Sequence, residues 1–265
     1  MSLPARLLVL LALACLQVAC MSTPERSNGG FVARSVDVDG TTYRYQVFVP
    51  ASRAGGKRPA AILFLHGSGE RGSDNNKQLE VGLGPYVRGR MQDFPALVVF
   101  PQAPDDGEWT QDAGRIAIAA LDAATREFDA DPARIYLTGI SMGGYGTWEL
   151  ALQSPQRFAA LVPVCGGITV DWTNQRPQMQ AKSVIGAADP FAEAARRLRD
   201  VPVWIFHGAD DDTVPPAQSH RMDAALKAAG ARGVRYTEFP GVDHFSWDPT
   251  YATPALWDWL FVQRR

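Results

Sequence analysis

The chain has 265 residues, a hydrophobic fraction of 46%, a charged fraction of 20% and a formal net charge of −2. This is the composition of an ordinary soluble globular protein, and it excludes a disordered, collagen-like or coiled-coil chain. The balance of 26 Lys+Arg against 28 Asp+Glu excludes a protein that wraps nucleic acid, which needs a basic excess, and three cysteines are too few for a disulfide-stapled scaffold.

At about 150 residues per domain the length predicts one full-size domain and something extra. Residues 1–20 supply the extra. Arg6 precedes an apolar run from Leu7 to Ala19, too short for a bilayer span of about 20 residues, with small residues at its end. This predicts a secretory signal peptide. Cys20 after Val18-Ala19 resembles the lipidated cysteine of a bacterial lipoprotein, although Gln17 stands where such signals usually carry Leu. Plain cleavage near Ala14 or Ala19 is the alternative. The expected location is therefore periplasmic or membrane-anchored through lipidated Cys20, or else secreted. Residues 21–30 are rich in Ser, Thr, Pro, Asn and Gly and read as a flexible tether. Removal of residues 1–20 takes away Arg6 and no acid, which leaves a charge of −3. With Cys15 gone and Cys20 lipidated, Cys165 is the remaining thiol, a small apolar residue after a buried strand.

The domain is expected over residues 31–265. Ser35–Val38 and Thr42–Val49 flank Asp39-Gly40 and predict an antiparallel hairpin with a primed turn. Short apolar runs follow at Ala60–Leu65, Leu97–Phe100, Ile135–Leu137, Ala160–Val164 and Val201–Phe206, each ending in turn residues, as buried parallel strands do. Helical patterns lie between them: Ala113–Phe128 with Asp112 as its N-cap, Met142–Gln153, and Pro216–Ala229 before Gly230. A last strand at Arg235–Phe239 precedes a helix near Pro254–Val262. The alternation predicts an α/β fold with a mostly parallel, doubly wound sheet. Residues 166–200 are the least regular stretch, with a short helix expected at Phe191–Leu198.

Chemistry concentrates at four turns. Gly139-Ile140-Ser141-Met142-Gly143 lies between a strand and a helix, so Ser141 reads as a nucleophile on a sharp turn whose small neighbours avoid collision. The Met142 N–H and the helix start would face a developing oxyanion. Of the four histidines, His66 and His207 each end a strand and precede Gly, and His220 falls within a predicted helix. His244, in the loop after the last strand, is left as the general base. The acid lies in Asp210-Asp211-Asp212, and spacing alone does not separate the three. The cluster lacks the spaced oxygen ligands of a calcium loop. His66-Gly67-Ser68-Gly69-Glu70-Arg71-Gly72 offers the Ser68 N–H as a second oxyanion donor, with Glu70 and Arg71 expected to pair. The loop lacks the Lys-Ser/Thr of a phosphate cradle.

These four segments together resemble the α/β-hydrolases, in the phospholipase/carboxylesterase and dienelactone-hydrolase-like branch often labelled predicted peptidases. The similarity covers about residues 32–265. It implies Asp211 as the triad acid, four residues after His207 and three before Val214. Dienelactone hydrolases use Cys as nucleophile, whereas this chain has Ser141, which points to ordinary esters. Thr169–Ala192 is longer than in similar proteins and reads as a lid or pocket wall.

The expected activity is carboxylic ester hydrolysis through an acyl-enzyme. The alternatives are a serine peptidase of prolyl-oligopeptidase type, whose members usually carry an extra screening domain, and a catalytically silent surface binding protein. Trp109, Trp172 and Trp247 sit in predicted loops where strands end and are candidate substrate-binding residues; Trp257 and Trp259 read as core. No metal or organic cofactor is implied. The expected partner is a small-molecule, glycan or polymer ester, not nucleic acid.

Overall fold

The structure is a computed structural model, and it describes residues 29–51, 56–170 and 179–265. The signal, tether and Cys20 readings, and Trp172, fall outside the described residues.

In chain order the elements are β1 (Gly30–Val38), β2 (Thr41–Val49), β3 (Ala60–Leu65), α1 (Leu83–Arg88), β4 (Ala96–Pro101), α2 (Asp112–Glu127), β5 (Ile135–Ile140), α3 (Met142–Gln153), β6 (Ala160–Val164), α4 (Pro190–Leu198), β7 (Val203–Gly208), α5 (Ala217–Ala228), β8 (Val234–Phe239), α6 (Trp247–Ala252) and α7 (Pro254–Val262). The eight strands form one sheet in the order β1-β2-β4-β3-β5-β6-β7-β8. β1 and β2 form an antiparallel hairpin, β2 pairs antiparallel with β4, and all remaining pairs are parallel. Asp39 and Gly40 both have positive φ, as a primed turn requires.

The apolar runs are uninterrupted because both faces of the central strands are covered. Every residue of β3 through β7 is buried. The period of two sends Ala61, Leu63 and Leu65 into one core, with residues of α2 to α5, and Ala60, Ile62 and Phe64 into the other, with α1, α6 and α7. The edge strands β1 and β8 are only partly covered, so their patterns are mixed.

Three local readings need correction. Val201 and Pro202 precede β7, since the Val201 N–H closes a turn onto the Leu198 carbonyl; the strand instead runs on through His207 and Gly208. Asp112 is the first helical residue rather than the cap, and its carboxylate meets Arg115 at 3.3 Å. The six-residue helices α1 and α6 have no counterpart in the sequence reading.

The described part of residues 166–200 is anchored. Met179, Ala181 and Val184 join the core. The Ala181 N–H reaches the Ile168 carbonyl at 2.8 Å, and Ser183 donates from its backbone N–H and its hydroxyl to Glu149. These contacts tie the described residues to the core and to α3. The helix expected at Phe191–Leu198 starts one residue earlier, capped by the Asp189 carboxylate.

Strand order also locates the site. From β3 the chain moves outward to β4, then returns to place β5 on the other side of β3. Ligands of open α/β sheets bind at such a reversal, outside the carboxyl ends of the two strands. Those ends carry the His66 turn and Ser141.

Candidate active site

Ser141 stands between β5 and α3 with φ 52° and ψ −114°. This conformation is unfavourable for a residue with a Cβ, costing about 1–3 kcal/mol, and persists only where the surroundings impose it. The Ser141 N–H is held by the Val164 carbonyl at 3.0 Å and by Cys165 Sγ at 3.3 Å. Its carbonyl takes the Gly144 and Tyr145 N–H groups at 2.8 and 3.1 Å. The turn leaves no room for side chains on either side. A Cβ on Gly139 would lie 2.3 Å from the Gly143 carbonyl oxygen, and one on Gly143 would lie 1.9 Å from that of Leu65.

His244 reaches the turn from the loop after β8. Its Nε2 is 2.9 Å from Ser141 Oγ and its Nδ1 is 2.7 Å from Asp211 Oδ2. The carboxylate is an obligate acceptor once ionised, so Nδ1 carries the hydrogen and Nε2 is free to accept from the serine hydroxyl. The structure thus brings together three residues that the sequence separates by 70 and 33 positions.

It also separates the three adjacent aspartates. Asp211 is buried, with Oδ1 accepting from the Thr213 and Val214 N–H groups at 2.9 and 2.8 Å, while Asp210 and Asp212 turn outward. Burial alone would raise the Asp211 carboxyl, but hydrogen bonds from His207 and His244 outweigh it and hold the group well below the usual carboxylate range. Asp211 is therefore a fixed anion behind the His244 ring.

The His66 turn packs directly against this site. A Cβ on Gly67 would be 3.8 Å from Ile140 Cγ1, one residue before Ser141. Ser68 to Glu70 form a single 3-10 turn. The Glu70 carboxyl is raised by burial, and its Oε2 would lie 3.0 Å from a Cβ on Gly67. Among the described residues, neither the Ser68 nor the Met142 N–H has an acceptor. Arg71 does not pair with Glu70: it pairs with Glu108 and donates from Nε to the Gly107 carbonyl at 2.7 Å, tying the turn to the loop before α2.

The remaining histidines have settled partners. His66 and His207 are fully buried, and His220 is a surface residue beside Glu238.

The aromatic expectations fare unevenly. Trp109 is fully buried, stands edge-on to His66 with centroids 4.8 Å apart, and donates from Nε1 to the His66 carbonyl at 2.8 Å. A Cβ on Gly146 would lie 2.3 Å from Trp109 Cβ. Trp109 is thus a core support of the turn and not a substrate-binding residue. Trp247 is 9% exposed and packs edge-on to His244 with centroids 5.8 Å apart. Phe245, not among the expected aromatic residues, is 62% exposed and edge-on to Trp247 at 4.9 Å. Its place next to His244 was the available signal.

Cys165 Sγ, an Asp211 oxygen and a His244 nitrogen lie within 4.8 Å of one another. Each is already engaged: Asp211 and His244 with each other, and the thiol with the Ser141 N–H. Burial, then the nearby Asp211 charge, pushes the Cys165 thiol up, away from the thiolate a metal would need.

Comparison with known proteins agrees with this fold. A thermostable esterase of known structure is 30% identical and superimposes with a TM-score of 0.68, over 89% of this chain and 63% of its own. A protein of Methylorubrum extorquens named "Putative carboxymethylenebutenolidase" is 28% identical over 95% of this chain and 86% of its own length. A protein of Arthroderma benhamiae named as secreted is 29% identical over 41% of this chain. The chain spans less than two thirds of the length of the first curated relatives it matches. Residues 106–260, from the loop before Trp109 into the last turn of α7, match the prolyl oligopeptidase family. The fold is that of the α/β-hydrolases, and the chain belongs to the prolyl oligopeptidase family within them.

Proposed function

We propose that the chain is a serine hydrolase that cleaves carboxylic esters through an acyl-enzyme. The observation that carries this reading is the continuous chain of hydrogen bonds from Ser141 Oγ through His244 to Asp211, at 2.9 and 2.7 Å. In the first half-reaction Ser141 Oγ attacks the ester carbonyl while His244 Nε2 takes its proton. The tetrahedral oxyanion is held by the Met142 and Ser68 N–H groups and favoured by the positive end of α3. Asp211 stabilises the imidazolium. The C–O bond then breaks, His244 returns the proton to the leaving alkoxide, and an alcohol departs. Water repeats the sequence on the acyl-Ser141 and releases the acid.

The test uses purified protein with short p-nitrophenyl esters, aminoacyl p-nitroanilides and a fluorophosphonate probe. Ester turnover with probe labelling of Ser141, and loss of at least about 10³-fold in kcat/KM in Ser141→Ala, is the expected result. Turnover of the amides alone would favour the peptidase reading that the family match supports. Unchanged activity in Ser141→Ala would overturn the mechanism, and no labelling would favour a binding protein.

Export through residues 1–20, with lipid attachment at Cys20, is part of the same proposal. It is supported by the sequence of that segment and by the secreted relative. Cys20→Ala should move the protein from the membrane to the soluble fraction. The near-neutral charge suits an uncharged ester, such as a glycan or polymer ester.

A further inference from the structure

The Asp211 carboxylate has a second histidine at its back. His207, buried at the end of β7, places Nε2 3.0 Å from Asp211 Oδ2, the same oxygen that receives His244 Nδ1. The same Nε2 is 2.8 Å from the Val214 carbonyl. A carbonyl and a carboxylate both only accept, so Nε2 must carry a hydrogen and faces both oxygens. The other ring nitrogen, Nδ1, meets the Ser219 hydroxyl of α5 at 2.7 Å. The His207 ring is therefore fixed at both nitrogens, between β7 and α5.

Asp211 is surrounded as a result. Oδ1 takes two backbone N–H groups from the turn, and Oδ2 takes one ring from each side. The two Oδ1 contacts anchor the residue, but they leave the carboxylate able to pivot about them. His207 limits that freedom, because its Nε2 lies 3.0 Å from Oδ2 while held by the Val214 carbonyl.

We propose that His207 is a positioning residue of the active site: its Nε2–H fixes Asp211 Oδ2 against His244 and sets how much of that oxygen's charge the His244 ring receives. This rests on the triad reading of Ser141, Asp211 and His244. His207 itself touches neither Ser141 nor any reacting atom. Residues that orient metal ligands by such hydrogen bonds typically change activity by about 10- to 100-fold when replaced, and an effect at the lower end of that scale is expected here.

Two measurements test the proposal. In the wild-type protein labelled with 15N-histidine, the His207 ring should show a protonated Nε2; a bare Nε2 would overturn the proposal without any variant. The hydrogen shared by His244 Nδ1 and Asp211 should give a low-field proton resonance. In His207→Leu, which keeps the bulk but removes the donor, Oδ2 loses its second partner, so this resonance should move further downfield and kcat should fall about tenfold. In His207→Gln, whose side-chain amide supplies an N–H at a similar reach, both should return toward wild type. A ring that only fills space would leave the resonance in place in a folded His207→Leu and would gain nothing from Gln over Leu; that result would overturn the proposal. Ester turnover is read separately. A resonance that moves as described in a protein that cleaves no ester would retain the positioning role and reject the esterase reading.

Discussion

His66 is held neutral by its partners. Its Nδ1 lies 2.6 Å from the Gly67 carbonyl and so carries the hydrogen, while Nε2 accepts from the Ala103 N–H at 2.9 Å. A proton on Nε2 would face a donor, and burial lowers the ring's pKa from 6.5 to about 4. The folded state therefore prefers the neutral ring, and the unfolded chain takes up the proton first as pH falls. The stability this provides is complete above about pH 6.5 and is lost between there and about pH 4, about 3 kcal/mol in all. Urea midpoints measured across that window should fall in the wild type and change less in His66→Gln; equal slopes would refute the assignment. Asp211 loses its contribution in the same direction, as pH falls, but at lower pH. Its carboxyl is depressed, so its contribution is lost only in acid below the usual carboxylate range. Phe245 gives a prediction of a different kind. Phe245→Ala should raise KM several-fold for aryl esters, leave it nearly unchanged for acetate esters, and not lower stability, because the ring is mostly in water. Residue identity made Ser141 and His244 legible from the sequence. It did not separate Asp210, Asp211 and Asp212, because the direction of one turn, set by the Thr213 and Val214 N–H groups, decides which carboxylate points inward. Nor did it reveal that Trp109 lies under the His66 turn, since a loop position says nothing about which way the loop folds back.

The strongest local constraint on any element is at the junction of β5 and α3. Ser141 keeps a positive φ that glycine would adopt freely. Ser141→Gly should abolish activity yet raise stability by about 1 kcal/mol, as read from urea midpoints. Gly143→Ala should do the reverse of stabilising: its Cβ would meet the Leu65 carbonyl oxygen at 1.9 Å, and the backbone of β3 has no room to retreat. The central strands were legible because burial on both faces forces continuous apolar runs. The short helices were not. α1 holds only six residues, with Gly84 and Pro85 inside it, and α6 begins at Trp247 directly after the His244 turn, so neither has length enough to show a period. Residues 179–189 read as a loop by composition, and Ser183 within them is tied to α3 through Glu149.

Across the whole molecule, chemistry and anchoring lie at opposite ends of the sheet. Ser141 follows the carboxyl end of β5, while the chain's last residues are tied near the other end, where the Arg265 N–H reaches the Ala133 carbonyl at 3.0 Å and Arg264 meets Asp131 at 3.1 Å. A six-residue strand puts roughly 20 Å between the two ends. Deletion of Arg264 and Arg265 should therefore cost about 2 kcal/mol and lower Tm by about 4–8 °C, with kcat unchanged. A parallel fall in kcat would mean that the two ends are coupled. Cys165 offers a way to watch the molecule open. Its sulfur sits fully buried beneath the nucleophile's backbone and is the free thiol among the described residues. A maleimide dye cannot reach it while β5, β6 and the Ser141 turn stay together, so labelling in native buffer, on protein whose earlier cysteines are removed, becomes a stopwatch for the rarest excursion of the domain. The same sulfur that steadies the serine thus reports, by its silence, how long the site holds its shape.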